Sequence, residues 1–313
     1  VDRLLKEGNF VRVVDNLSAG SLENLKGHKG NPNFEFLQAD LKNYASCAGA
    51  FEGIDAVFHF AANPEVRLSV QEPRVHFEEN VLTTFNVLEA CRKAGVKHFV
   101  FASSSTVYGD PEIIPTPEEH PLEPISIYGA AKLAGEEMAK TYAKLYGMKA
   151  LILRYANIIG PRMAHGVIVD FIKKLKANPR ELKILGDGTQ AKSYLHVDEA
   201  VEATMHLFDR MDGVEVYNVG NEDRIGVREI ADIIVKEMGL NDVRYRFKPA
   251  TGDGRGWPGD VKQMLLDITK IKESGWKPQF NSRRAVIKTV RQLVEEVGIR
   301  RRKQLLRLSK PLT

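Results

Sequence analysis

The chain is poor in cysteine. Only Cys47 and Cys91 among its 313 residues carry thiols. They stand far apart and in no metal-ligand spacing, which argues against a disulfide framework or a structural metal site and fits a reducing cytoplasm. Both are expected in the core as small hydrophobes. Long apolar runs are missing too: none approaches the roughly 18 residues that span a membrane, so no membrane partner is expected. Nor is there an excess of one charge. Lys and Arg number 45 against 41 Asp and Glu, a formal net charge of +4, and their interspersion offers no footprint for nucleic acid. The one basic run, Arg300, Arg301, Arg302 and Lys303, is read as the solvated end of a C-terminal helix, where cations suit the helix dipole. No internal repeat or low-complexity tract is present.

What is present is a regular alternation of elements. Val1, Leu4 and Leu5 share one helical face, Gly8 ends that helix, and residues 10–14 read as a buried strand ending at Asp15. Short apolar runs follow at 34–38 (FEFLQ), 56–60 (AVFHF), 97–102 (KHFVFA) and 150–154 (ALILR). Helical patterns lie between them. One covers 80–92, with Phe77, Val81, Phe85, Leu88 and Cys91 on one face. Another covers 126–145, with Ser126 as N-cap. This order predicts an α/β fold: a Rossmann-like, doubly wound parallel sheet covered by helices on both faces. Beyond about residue 155 the rhythm breaks into loops at 160–165, 186–189 and 252–260 and short strands at 183–185, 192–195 and 216–219. A smaller mixed α/β C-terminal lobe is expected. The predicted division gives 1–155 plus about 196–222 to the nucleotide domain, and 156–195 and 223–313 to a substrate lobe, with a ligand cleft between them.

SIYGAAK, residues 126–132, carries the strongest chemical signal. Tyr128 and Lys132 are four apart and face one way on a helix. A free tyrosine titrates near pH 10, and a nearby ammonium favours its phenolate, so the pair is suited to moving a proton on and off a sugar hydroxyl. FASSSTVYG, residues 101–109, follows a strand and puts hydroxyls at the carboxyl end of the sheet, Ser104 among them. A polar strand-to-loop turn would also account for three serines. Asp15 stands where a carboxylate accepts hydrogen bonds from an adenosine ribose and disfavours a 2′-phosphate. An Asx turn into residues 16–20 is the other reading. Asp40 stands where an adenine contact would lie, or where a helix is capped. His196, at a strand end leading into a helix, is read as structural, and Trp257 and Met264 as packing or pocket-wall residues.

VVDNLSAG, QAD, HFAA, ENVLTTFNVLEA, ASSSTVYGD, PISIYGAAKLAGE, LRYANIIGPR, GDGTQAKSYLHVDE, YNVGN and RGWPGDV, in that order, resemble the extended short-chain dehydrogenase/reductase family, and within it most closely the UDP-galactose 4-epimerases. The resemblance covers nearly the whole chain. It implies NAD as cofactor, a UDP-hexose as substrate and a homodimer paired through helices near 77–94 and 128–145. It implies that Tyr128 is the catalytic base, with Lys132 its partner and Ser104 the catalytic hydroxyl. Asp15 and Asn16 would meet the adenosine ribose, and Asp40 and Leu41 the adenine. Phe60, Ala61 and Ala62 would pass beside the cofactor, with Asn80 and Tyr155 near it. Asn157, Lys192 and Arg255 would hold the nucleotide diphosphate.

The reaction implied is oxidation at C4 to a transient 4-keto sugar and return of the hydride to the opposite face. Related dehydratases carry Asp-Glu where Ser105 and Thr106 stand here, and related decarboxylases a Glu at the position of Thr106. Both activities are therefore disfavoured. Epimerases of N-acetylated or uronic acid sugars remain alternatives. Non-catalytic NAD-binding relatives usually lose the tyrosine or the lysine, and this chain keeps both. The family's first strand and GxxGxxG turn would precede Val1, so the natural chain is expected to extend about 20 residues further, and the chain as it stands to hold NAD weakly.

Overall fold

The computed structural model describes residues 1–308, with side chains through residue 296. Helix α1 (Asp2–Lys6) leads into strand β1 (Val11–Asp15), and β2 (Phe34–Gln38) pairs with it in parallel. The short helix α2 (Tyr44–Cys47) precedes β3 (Ala56–His59). Two single-turn helices, α3 (Leu68–Gln71) and α4 (Pro73–His76), lead to α5 (Thr83–Ala94). Then come β4 (His98–Ser104), α6 (Ile127–Tyr146) and β5 (Lys149–Tyr155). The second half holds β6 (Asn157–Ile159), α7 (Val167–Ala177), β7 (Glu181–Leu185), β8 (Ala191–Lys192), β9 (Tyr194–His196), α8 (Val197–Phe208) and β10 (Val214–Val219). It ends with β11 (Ile225–Gly226), α9 (Val227–Glu237), β12 (Arg244–Lys248), β13 (Gln263–Met264), α10 (Thr269–Glu273) and α11 (Ser282–Leu308). Backbone at residues 300–303 is helical, as expected; the exposure expected of those side chains lies outside the described residues.

The main sheet is parallel, in the order β10-β5-β4-β3, and β1-β2 forms a separate parallel pair. The chain crosses back to this sheet through β10, which lies beside β5. Among the described residues no strand pairs with the free side of β1 or of β3, and Val13, Val14, Val57 and Phe58 there stay half-buried. Phe99, Val100, Leu151, Ile152 and Leu153, in the paired centre of the sheet, are fully buried, as parallel strands covered on both faces require. No helix among the described residues is long and apolar enough to cross a membrane.

Local chemistry explains the helix that matters most. The Ser126 hydroxyl accepts from the Gly129 N–H at 3.1 Å, capping α6, and Gly147 ends it in the left-handed region at φ 68°, a conformation glycine adopts without steric cost. The expected helix near 80–92 begins differently. Phe77–Leu82 forms a π-helical turn before α5, and such turns shift side-chain phase and gather at functional sites. Thr84, Val87, Leu88 and Cys91 take the core side, while Phe77 and Phe85 are 58% and 43% exposed. The single apolar face read from the sequence therefore splits.

Apolar packing is divided. One core joins α7, β7, α9 and α11. Others fill the two faces of the main sheet, and the one containing Leu151 and Leu153 also takes in Val261, Met264, Leu266, Ile271 and Trp276 from the C-terminal half. Cys47 and Cys91 are buried free thiols.

Candidate active site

A cleft of about 770 Å³ runs between the carboxyl end of the main sheet and the elements around the α7 core. Strand β4 ends at Ser104, and α6 presents Tyr128 and Lys132 one turn apart, so the three residues line the same wall. All three are where the sequence predicted them. Lys132 is 5% exposed; its ammonium donates to the Ala102 carbonyl at 2.7 Å and sits 5.9 Å from the centre of the Tyr128 ring. Burial pulls the Lys132 pKa down to about 8.

Tyr128 departs from expectation in its electrostatics. Burial pushes the phenol up to about 12, and the hydrogen bond with Ser104 offsets only part of that. The lysine was expected to lower it. Its ammonium is instead turned to the strand carbonyl, and loss of water around the phenol dominates. In this state the phenol holds its proton.

A residue the sequence reading missed packs on the same ring. His76 is fully buried, and its imidazole meets Tyr128 edge-on with 5.6 Å between ring centres. Its Nδ1 lies 3.1 Å from the Asn80 amide nitrogen and its Nε2 3.2 Å from the Glu65 carbonyl oxygen. Burial lowers its pKa, keeping it neutral. Asn80 lies in the π-helical turn that follows this histidine. No periodicity in the sequence announces such a turn.

A second cavity, about 150 Å³, lies at the ends of β1 and β2 and is lined by Asp15, Asn16, Asp40 and Leu41. Phe60 and Ala62 line both cavities and Ala61 the smaller, so the two meet along the segment after β3. The Asp15 carboxylate accepts from Leu17 N at 2.6 Å, the Asx-turn geometry, and also faces the cavity. A Cβ at Gly20 would fall 2.7 Å from Asp15 Oδ2, so glycine there keeps the carboxylate's place open. Asp40 likewise accepts from Lys42 N at 2.9 Å. These residues fit one end of a dinucleotide, with a carboxylate for ribose hydroxyls and an apolar ledge at Leu41, while the Tyr128 wall fits the other end. A glycine-rich phosphate turn is not among the described residues.

Tyr155 lines the large cleft, its ring 6.5 Å from that of Phe60 and its hydroxyl 2.6 Å from Thr204 Oγ1. Asn157 and Lys192 also line it, with the Asn157 amide donating to the Ser193 carbonyl and Lys192 paired with Asp260 at 2.8 Å. Trp257 lies between two cations: Lys192 Nζ is 5.7 Å and the Arg67 guanidinium 5.9 Å from its ring. Arg67, in a loop without periodic signal, was not read from the sequence. His196 and Met264 are buried, as expected.

Two expected contacts are not brought to either cavity. Asn80 is 2% exposed, and its amide is used on the Asn63 backbone and on His76. It positions the loop after β3 rather than lining a cavity. Arg255 forks onto Asp110 at 2.7 and 3.1 Å and also pairs with Asp253. Its guanidinium fastens the 252–260 loop to the segment after β4, where carboxylates satisfy the charge that was expected to meet phosphate.

Comparison with known proteins agrees with this geometry. Residues 1–220 match the family model described as the NAD dependent epimerase/dehydratase family. A putative UDP-glucose 4-epimerase from Methanocaldococcus jannaschii is 35% identical over 296 residues, covering 93% of this chain and 92% of that protein. The UDP-glucose 4-epimerase of Mycolicibacterium smegmatis is 35% identical over 298 residues, again covering 93% and 92%. Among solved structures, a UDP-galactose 4-epimerase is 51% identical, with a TM-score of 0.83 over 95% of this chain and 94% of that one.

Proposed function

The chain belongs to the NAD-dependent epimerase/dehydratase family, and from that premise we propose that it is a UDP-glucose 4-epimerase, interconverting UDP-glucose and UDP-galactose through a transient 4-keto sugar. The observation that carries this reading is the placement of Ser104, Tyr128 and Lys132 on one wall of a cleft that also meets the Asp15 cavity. Asp15, Asn16, Asp40 and Leu41 are assigned to the adenosine end of NAD, and Phe60, Ala61, Ala62, Lys132 and Tyr155 to its path toward the nicotinamide. When bound, NAD supplies the acceptor and then the donor of the C4 hydride. Tyr128 takes the proton from the 4-hydroxyl and returns it after the ketone has turned. Ser104 stands beside the phenol on the same wall and favours its ionised form. Lys132 keeps a buried cation on the same wall, one helical turn from the phenol.

The sugar's diphosphate is assigned to Asn157 and Lys192, so that the hexose ring can turn while its anchor holds. A cleft of about 770 Å³ leaves room for both orientations. Ser105 and Thr106 offer no acid or base to eliminate water from the ketone. The two-lobe division predicted above is retained as part of this reading. A homodimer is proposed as well, through the face of α5 and α6, on which Phe77, Phe85 and Leu145 are exposed apolar side chains. Conversion of UDP-galactose to UDP-glucose, followed by anomeric proton signals in the presence of NAD, tests the activity. Conversion of only UDP-N-acetylhexosamines or UDP-uronic acids would contradict the substrate assignment.

A further inference from the structure

The turn that follows β4 does more than end the strand. Ser105–Tyr108 is a single 3-10 turn capped by Ser104, whose hydroxyl accepts from the Thr106 N–H. Ser104 Oγ accepts from the Thr106 N–H at 3.2 Å and from the Thr106 hydroxyl at 3.0 Å. A serine hydroxyl has two acceptor positions and one proton to give. With both acceptor positions filled by a single neighbour, the proton of Ser104 has to point elsewhere. On the same wall of the cleft stands the Tyr128 phenol, whose ionised form Ser104 favours.

The Thr106 main chain is pinned as well. A Cβ at Gly129 would lie 2.6 Å from the Thr106 carbonyl oxygen. Glycine next to Tyr128 therefore lets α6 seat directly on this turn. The hydroxyl of Thr106 and the phenol of Tyr128 are thus held in register by one close contact between backbones.

We propose that Thr106 is a positioning residue that acts through Ser104: by occupying both acceptor positions of Ser104 Oγ, it forces that hydroxyl to donate toward Tyr128. A donor aimed at the phenol stabilises the phenolate; a hydroxyl free to rotate would accept from the phenol and stabilise its neutral form. Sequence reasoning treated Thr106 only as the absence of an acid. The geometry gives it a function in the reading above, on which this inference rests. The other groups facing the phenol are Lys132, 5.9 Å from its ring centre on α6, and the neutral His76 on α4. Neither touches Thr106 Oγ1.

The test compares Thr106→Val with Thr106→Ser in full-length, NAD-saturated protein whose tyrosines are labelled with carbon-13 at Cζ. The Tyr128 signal is the one lost in Tyr128→Phe. The expected result is a Tyr128 titration midpoint raised by about one pH unit in Thr106→Val, equivalent to about a tenfold loss of phenolate near neutral pH. The kcat for UDP-galactose should fall by a similar factor with KM nearly constant, and Thr106→Ser should restore both values. An unchanged midpoint in Thr106→Val would overturn the proposal, as would a Thr106→Ser protein as defective as Thr106→Val. Should the wild-type protein turn over no UDP-hexose, the functional reading fails, while the titration still decides the role of Thr106.

Discussion

Lys132 and Tyr128 are held in states that oppose their chemistry, and each opposition is measurable. Burial lowers Lys132 to about 8 from an ordinary value of 10.5. The folded state thus binds this proton more weakly than the unfolded chain does. Between about pH 8 and 10.5 the unfolded state carries more of it, and stability rises with pH through that window. Below it, the folded protein carries the full penalty of a buried cation. Lys132→Met is therefore expected to abolish epimerisation while raising stability by roughly 1–3 kcal/mol at pH 7, read from denaturant midpoints. A variant less stable than wild type would contradict this. Activity should also decline above about pH 8 as the cation beside Tyr128 is lost, and a kcat profile flat to pH 10 would count against that role. The spacing of Tyr128 and Lys132 made the pair legible in the sequence, and the strand end made Ser104 legible. The direction of the Tyr128 shift was not, because it depends on where the ammonium turns. That Asn80 and Arg255 line neither cavity was not legible for a related reason: a polar residue in a familiar stretch does not reveal which partner takes its hydrogen bonds.

Helix α6 is fastened to the sheet by a buried ion pair two turns beyond Tyr128. Arg154 on β5 forks onto Glu136 at 2.7 and 3.0 Å, and Ser103 on β4 donates to the same carboxylate at 2.5 Å. The guanidinium also reaches the Tyr108 hydroxyl and the Glu118 carbonyl. Tyr108 in turn donates to Asn218 on β10, so four elements share one network. Glu136 and Arg154 are 0% and 2% exposed, and removing one partner strands the other charge in the core. Glu136→Ala should cost about 3–5 kcal/mol, and a Glu136→Leu, Arg154→Met double variant much less. Urea midpoints of the two variants check this, and equal losses would contradict it. Strand and helix positions were legible because periodicity and caps are local: β2 falls on residues 34–38 as read, and Ser126 caps α6. The π-helical turn at Phe77–Leu82 was not legible: no periodicity marks it, and Asn80 and His76 there bond the backbone at Asn63 and Glu65 on a separate segment.

At the scale of the molecule, the chain builds its α7 core apart from the cores of the main sheet and leaves a cleft between them. The parallel sheet was legible from alternating apolar runs. The packing of residues 261–276 against Val100, Leu151 and Leu153 was not, since it joins segments more than a hundred residues apart. Phe77 and Phe85 remain exposed beside α6. Phe85→Asp is expected to shift a dimer toward monomer in light scattering without unfolding it, and an unchanged dimer mass would place the interface elsewhere. The central claim is that Tyr128 moves the proton of a UDP-hexose 4-hydroxyl. The most direct measurement follows UDP-galactose by proton NMR with added NAD, using wild type and Tyr128→Phe side by side. UDP-glucose formed by the wild type, with a loss of at least about a hundredfold in Tyr128→Phe, is the predicted result. Equal rates from the two proteins would contradict the account.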